Sequence, residues 1–394
     1  MQKTLTLTLT PAVRPAIIAA RVAISVFAVS MTMLAPLITR IGADFDRGVG
    51  ASGLLFTAYY ISNIVFCLLT GRIISALGKR TAMKAGLFGY VAATVAFTQA
   101  RSFALACVFI SCMGALATFI EAVGMDIVDD LSPENAASNL SVTHGLAGLG
   151  AAGGVLYSGL MLHLGFGWRT IYLGLAAAVL LAGVVFCLVP CPPLHDAKAG
   201  GLSELRSFFT RREYMPSYAA LFLYVGAEGA ATGWLATYMS DLLGYSALVS
   251  ALGTAIVWVV VALGRILCAQ LVHRYSIRRI ETVLTVVAVV SLLLVAGAPL
   301  PLVFWAGVFG VGVGISGMWP LAAATLLNAE RNGGTIMAVI LFFGYFGSSV
   351  VPYLVGLVGD AWGMDVAMAA SAAVFALFGL TVALLIPRRL TTKR

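Results

Sequence analysis

An α-helix needs about 20 apolar residues to cross the roughly 30 Å of hydrocarbon in a bilayer, and runs of that length recur along this 394-residue chain from one end to the other. Breaking the sequence at charge and Gly/Pro clusters gives twelve of them, at 15–39, 50–71, 82–100, 103–127, 140–163, 168–190, 216–240, 246–271, 280–298, 301–327, 333–358 and 364–387. Only 10% of residues are charged and 61% are hydrophobic, whereas a soluble domain carries about 25% charged residues. The chain therefore reads as an all-α membrane protein with twelve transmembrane helices. Its N-terminal segment has the basic start and apolar stretch of a signal peptide, but the apolar run continues to Pro36 and full-length spans follow, so it is read as the first span. The six cysteines form no CxxC pair and lie mostly in apolar runs; they read as small core hydrophobes, with no metal and no cofactor expected.

Net charge is +8, and its placement explains it without nucleic acid. With the N-terminus inside, the inner loops and tails hold Lys3, Arg14, Arg72, Lys79, Arg80, Lys84, Lys198, Arg206, Arg211, Arg212, Arg265, Arg274, Arg278, Arg279, Arg331, Arg388, Arg389, Lys393 and Arg394. The outer loops hold only Arg40, Arg47, Arg101 and Arg169. This is the positive-inside asymmetry; it puts both termini in the cytoplasm and points to a bacterial inner membrane.

One connection is both long and polar, from Cys191 to Ser217, and it divides the spans six and six. The expected organisation is an N-terminal six-helix bundle over 1–190, a cytoplasmic linker over 191–215 and a C-terminal bundle with its tail over 216–394. The halves echo each other: Gly71-Arg72 closes the second span and Gly264-Arg265 falls near the end of the eighth, each followed by a basic loop that includes Arg274 in the second copy. A repeat of six-span units, with a cavity between the halves near the bilayer midplane, resembles the major facilitator superfamily. The inner-loop motif of that superfamily usually reads G-x-x-x-D-R-x-G-R-R/K. Here Ser75 and Ala76 stand at its Asp-Arg positions and His273 at the Asp position before Arg274, so the resemblance implies a charge latch that is weakened or differently built. Small residues crowd the fifth and eleventh spans (GLAGLGAAGGVLYSG, GYFGSSVVPYLVG) and read as close helix packing; no GxxxxGK[ST] phosphate loop is present. The fifth span also lacks the Gly-Pro typical of drug antiporters in the superfamily.

A charge at the bilayer centre costs about 2.5–3.5 kcal/mol on insertion scales, so each ionisable residue inside a span needs a reason. Glu121, about 18 residues into the fourth span, and Arg21, about six into the first, fall at similar depth in the inner half of the bilayer. Either they form a structural ion pair, or Glu121 alternates between a proton and a partner as in a membrane proton relay. His144, near the inner start of the fifth span, is a hydrogen-bonded interfacial residue or a switchable imidazole close to Glu121. Asp126, next to the acidic group Asp129, Asp130 and Glu134, reads as interfacial. Glu228 lies near the midplane of the seventh span, sharing a helix face with Tyr224, Ala231, Leu235 and Tyr238, with Trp234 to the side. A carboxylate flanked by rings suits a polyhydroxylated ligand, although Trp234 and Tyr238 also fit plain packing or an interface belt. Trp319-Pro320 reads as a kink carrying an aromatic ring; spacing leaves open whether Trp319, Asn63, Asn139 and Asn328 face a cavity.

A closer likeness rests on Glu121, the Leu131-Ser132-Pro133-Glu134 turn ten residues on, Asn139-Leu140 leading into the Gly/Ala-rich fifth span, the loop GRIISALGKRTAMKAGLFGY, and the seventh-span run Tyr224-Val225-Gly226-Ala227-Glu228 to Gly233-Trp234. It is similar to the fucose/galactose/glucose:proton symporter branch. The resemblance implies that Glu121 is the carboxylate of proton coupling. It also places Thr32 where that branch has a partner Asp, and Met125-Asp126 where it has Asn-Pro.

These readings converge on a secondary transporter for a small polar solute, a sugar by resemblance, coupled to protons and working by alternating access. Arg21, Glu121 and His144 are the proton-coupling candidates; Glu228, Tyr224, Trp234, Trp319, Asn63 and Thr32 are the solute-binding ones. The alternative is a proton-coupled exporter of drugs or metabolites such as siderophores, favoured by the scarcity of Asn/Gln within the spans. An enzyme is not expected: no GxSxG, HExxH or Walker loop occurs, and His163, His195 and His273 lie at loops. A non-transporting sensor stays open. The expected partners are the solute, protons and the lipid bilayer, and the expected state is a monomer.

Overall fold

The computed structural model describes residues 13–132, 136–191, 194, 202–297, 300–327, 333–387 and 390. The side chains of 136–141, 144, 202–205 and 333–335 lie outside the described set, and with them those of His144 and Asn139. So do Asn328, the Pro133-Glu134 turn, His195 and the basic residues Lys3, Lys198, Arg331, Arg388, Arg389, Lys393 and Arg394.

Among the described residues every regular element is helical. The twelve long helices are α1 (Arg14–Met33), α2 (Leu54–Leu77), α3 (Lys79–Thr98), α4 (Phe103–Leu131), α5 (Ala136–His163), α6 (Trp168–Leu188), α7 (Met215–Thr237), α8 (Ala247–Leu271), α9 (Ile277–Gly297), α10 (Pro301–Leu327, interrupted at Ser316-Gly317), α11 (Gly333–Trp362) and α12 (Met364–Leu380). Eleven of these segments are long and apolar enough to cross a bilayer. The remaining one, α3, is 20 residues long and is made more polar by Lys79, Arg80 and Lys84 in its first two turns. Short helices Ile38–Ala43 and Val49–Ser52 precede α2, and Leu202–Thr210 precedes α7. Turns are tight: Gly78 at φ +75° and Gly363 at φ +101° each make a single-residue joint, in the left-handed region where other residues are strained.

The neighbours of each helix repeat between the halves. In the first, α1 packs on α4, α5 and α6, α2 on α4, and α3 on α4 and α6; in the second, α7 packs on α10, α11 and α12, α8 on α10, and α9 on α10 and α12. Adding six to each number in the first set gives the second. Across the halves the main contacts are α2 with α11 and α5 with α8, which the same operation exchanges. Close approach along these seams follows from small residues: Gly148 faces Ala262, and Gly159 faces Ala247 and Ala251, so the α5 and α8 backbones nearly touch.

The repeat also reaches the loops, at positions other than the expected Gly-Arg pairs. Gly71 has open space around it and Arg72 is exposed, whereas a Cβ on Gly264 would strike Ser316 at the α10 interruption. Arg274 is exposed. The arginines that work as a pair are instead Arg80 and Arg278, each the second residue of its helix. Arg80 donates from Nη2 to the Val189 carbonyl at 3.2 Å, at the end of α6. Arg278 donates to the carbonyls of Ala383 (2.7 Å) and Ile386, at the end of α12. A cation on the orphan carbonyls of a helix C-terminus is favoured by both hydrogen bonding and the helix dipole. The first half adds an ion pair between the buried Lys79 and the half-buried Asp130 at 2.7 Å, joining α3 to α4. We call the end of the bundle holding these groups and the short helix Leu202–Thr210 the linker end.

Candidate functional site

Glu121 and Glu228 stand on opposite sides of the α2/α11 seam. At 1.5 Å per residue, Glu228 lies about 20 Å along α7 from the linker end and Glu121 about 15 Å along α4, so both are at mid-depth. Glu228 is 5% exposed, and its Oε1 is buried without a hydrogen-bond partner among the described residues. The groups acting on its carboxyl are the Arg265 guanidinium and the Tyr224 hydroxyl. Glu121 is half-buried. The group it bears on is Tyr345 of α11, in the other half of the chain. Among the described residues no ion pair joins it to Arg21, which is buried in α1 and has other interactions.

Between the two acids lies a pair of tyrosines. Tyr60 of α2 and Tyr345 of α11 are stacked, with ring centroids 6.4 Å apart and planes at 26°. Tyr60 feels the charge of Glu228 and Tyr345 that of Glu121, so each ring, contributed by one half, addresses an acid of the opposite half. Both rings are nearly buried. The seam beside them is zipped by Thr57, whose hydroxyl donates to the Ser349 carbonyl at 2.6 Å, and by Phe56, edge-on to Trp234 at 5.7 Å. Towards the end opposite the linker, the Gly50 N–H donates to Asp360 of α11 at 2.7 Å.

Donor and acceptor accounting explains what holds Tyr345. The side chain that acts on its hydroxyl is Thr118 of α4. Thr118 Oγ1 in turn lies 3.1 Å from Asn63 Oδ1 once that amide is oriented to suit its neighbours, and the Asn63 NH2 then donates to the carbonyls of Tyr59 and Gly114, both at 2.9 Å. Every polar atom of Asn63 is thereby used to tie α2 to α4, which is possible only because Gly114 lets the helices meet; a Cβ there would strike the Tyr59 carbonyl and Asn63. Behind Tyr60, Ser30 accepts from the hydroxyls of Tyr90 (2.6 Å) and Tyr59 (3.2 Å), fixing α1, α2 and α3 together.

Other residues expected to hold solute are spent on structure. Thr32 donates to the carbonyls of Ala151 of α5 (2.8 Å) and Ala28 (2.9 Å), so its hydroxyl proton is engaged. Trp234 is fully buried and donates to Pro352 of α11 at 2.8 Å. Tyr238 donates to Val295 at 3.0 Å. Tyr224 makes two bonds to α10, since its hydroxyl donates to the Ile315 carbonyl at 3.2 Å and bonds the backbone of Trp319, four residues on. Those two groups would otherwise bond each other, and Pro320 has no N–H to give the Ser316 carbonyl, so the interruption at Ser316-Gly317 falls both where the Tyr224 hydroxyl enters the ladder and where a proline kink is expected. The half-buried Trp319 ring packs against the apolar core. His144 sits on α5, with its side chain outside the described residues.

Two groups that sequence reading missed matter here. Tyr60 and Tyr345 look like ordinary helix aromatics, and only the tertiary meeting of α2 with α11 gives them a role. Glu281, the fifth residue of α9 and close in sequence to a basic cluster, drew no reading; in the structure it is 0% exposed. Two surface cavities of about 500 Å³ flank Asp44 and Arg169 at the end opposite the linker, away from the tyrosine pair.

The comparisons agree with this architecture. A family model for the Major Facilitator Superfamily matches residues 22–352. An uncharacterised transporter of this type, YceJ of Bacillus subtilis, is 27% identical over 257 residues, and the match spans 62% of this chain and 62% of that relative. A glucose/galactose transporter of Brucella abortus is 22% identical over 349 residues, with 84% of each chain covered. Among solved structures, the E. coli fucose:proton symporter FucP in its outward conformation superposes with a TM-score of 0.65 at 20% identity, covering 96% of this chain and 99% of that one. Twelve helices, an internal six-helix repeat and a matching family model over most of the sequence give one conclusion: the chain is a multi-pass membrane protein that belongs to the Major Facilitator Superfamily.

Proposed function

We propose that this transporter moves a small polyhydroxylated solute of the sugar class in symport with protons, by rocking of the two six-helix bundles about the α2/α11 and α5/α8 seams. The observation that carries the reading is the arrangement Glu121, Tyr345, Tyr60, Glu228, in which two stacked rings join the halves and each lies in the electrostatic field of the acid of the other half. Parting the bundles unstacks the rings and uncovers both acids together. Glu228, with Arg265, would then hold solute hydroxyls while the rings cover its apolar faces. Glu121 would carry the proton, since an unpaired carboxylate in hydrocarbon is costly and a neutral one is tolerated. The sugar transporters among the relatives agree with this reading. Placing the linker end in the cytoplasm of a bacterial inner membrane follows the positive-inside charge, and the protein would work as a monomer.

One observation favours a second reading, export of an amphipathic metabolite such as a siderophore. Asn63, Thr32 and Trp234 use their polar atoms in packing, which leaves the seam richer in rings than in hydroxyl-binding groups. Stabilisation of the purified protein by single sugars, siderophores and dyes separates the two, because a ligand that binds the folded state raises its unfolding temperature by mass action. The sugar reading expects a monosaccharide to stabilise the wild type and Glu228→Gln to lose most of that effect. Stabilisation by siderophores or dyes alone would overturn it.

A further inference from the structure

Glu281 is used by none of the above. It lies about 6 Å along α9 from its linker end, is 0% exposed, and neither carboxyl oxygen has a hydrogen-bond partner among the described residues. The groups around it are few. On its own helix, Arg278 stands one turn earlier and is the charge that bears on it; Arg274 and Arg279 are exposed. The elements packed on α9 are α10 and α12 with the following turn 381–385. Helix α10 has no ionisable side chain, and α12 has only Asp365, in its first turn at the far end. On α8, Cys268 approaches through Gly317 and Leu284. Arg388 and Arg389, past α12, lie outside the described residues.

Arg278 is committed elsewhere, holding the carbonyls of Ala383 and Ile386 at the end of α12, and its Nε is itself buried without a partner. Two complementary orphan groups therefore sit at positions i and i+3 of one helix, the spacing at which side chains meet. The internal repeat supplies a control. Arg80 and Arg278 are the second residues of α3 and α9 and do the same work on α6 and α12, so Glu281 corresponds to Met83, which is also 0% exposed. The fold accepts a methionine at this place in one half; packing alone does not call for an acid in the other.

We propose that Glu281 is a proton-binding site of the second bundle: in this conformation it holds a proton, and when the end of α12 moves away Arg278 leaves the Ala383 and Ile386 carbonyls and pairs with the Glu281 carboxylate. The proton leaves the Glu281 oxygen for water at the linker end, Arg278 stays a cation throughout, and no other bond changes. The site does not depend on the role given to Glu121 or on which solute is carried.

Infrared difference spectroscopy of the full chain in lipid nanodiscs tests this without a solute. The carbonyl-stretch band of a protonated carboxylic acid should be present in the wild type at neutral pH, and one carboxyl's share of it should be missing in both Glu281→Gln and Glu281→Met. The methionine variant copies the residue of the other half and keeps the test alive if glutamine impairs folding. In Arg278→Gln, which removes the partner of the ionised form, the band should persist through an alkaline titration in which the wild type loses it. Identical carboxyl bands in wild type and both Glu281 variants would overturn the proposal, and so would an Arg278→Gln titration that follows the wild type.

Discussion

Tyr60 and Tyr345 stack across the seam between the bundles at 6.4 Å, and each ring feels the charge of the acid of the half it does not belong to. Aromatic pairs contribute about 0.5–1.5 kcal/mol beyond the area they bury. Tyr60→Ala and Tyr345→Ala should each lower stability in nanodiscs, and the double variant should lose less than the sum by about 1 kcal/mol. Strict additivity in that double-mutant cycle would mean the rings do not support each other.

The Thr57 hydroxyl reaches the Ser349 carbonyl at 2.6 Å, so these positions of α2 and α11 are adjacent. With the six native cysteines replaced, a Thr57→Cys/Ser349→Cys protein bridged by a short thiol crosslinker should lose transport by at least tenfold and recover it on reduction if the linker is cleavable. Full activity while crosslinked would show that this part of the seam does not open.

The buried Lys79 and the half-buried Asp130 form an ion pair at 2.7 Å. Removing one partner of such a pair leaves a charge in a poor solvent, at a cost of about 3–5 kcal/mol, while removing both is often close to neutral. Lys79→Met should therefore destabilise the protein more than Lys79→Met/Asp130→Asn does, as read by thermal unfolding. The reverse order would place Asp130 in another network that matters more.

Gly114 lets α4 approach the Tyr59 carbonyl and Asn63 of α2. Gly114→Ala should cost about 1–3 kcal/mol through overpacking and should disturb Tyr345 as well, since Asn63 holds Thr118 and Thr118 acts on the Tyr345 hydroxyl. Unfolding measurements alongside tyrosine fluorescence would record both effects.

Apolar runs of bilayer length, interrupted by charge, made the helices legible in the sequence, and the single polar connection made the six-plus-six division legible. Glu121 and Glu228 were readable because an acid among apolar neighbours is expensive wherever the helix ends up. Roles that depend on which helix lies opposite were not readable. Thr32 and Asn63 look available for solute until α5 and α4 take their hydrogen bonds. Tyr224 looks like a ring on a binding face until its hydroxyl proves to be lodged in the α10 ladder. The Gly-Arg pairs drew notice by their motif, while Arg80 and Arg278 gain their pairing only from helix ends contributed by α6 and α12.

Uptake by Glu121→Gln in proteoliposomes bears most directly on the coupled-transport account. Under an imposed proton gradient the wild type should accumulate a labelled monosaccharide against its gradient. Glu121→Gln should lose that accumulation while still exchanging labelled for unlabelled solute. Accumulation by the variant to the wild-type level would contradict the account, because the carboxyl at the seam would then have no part in driving the solute.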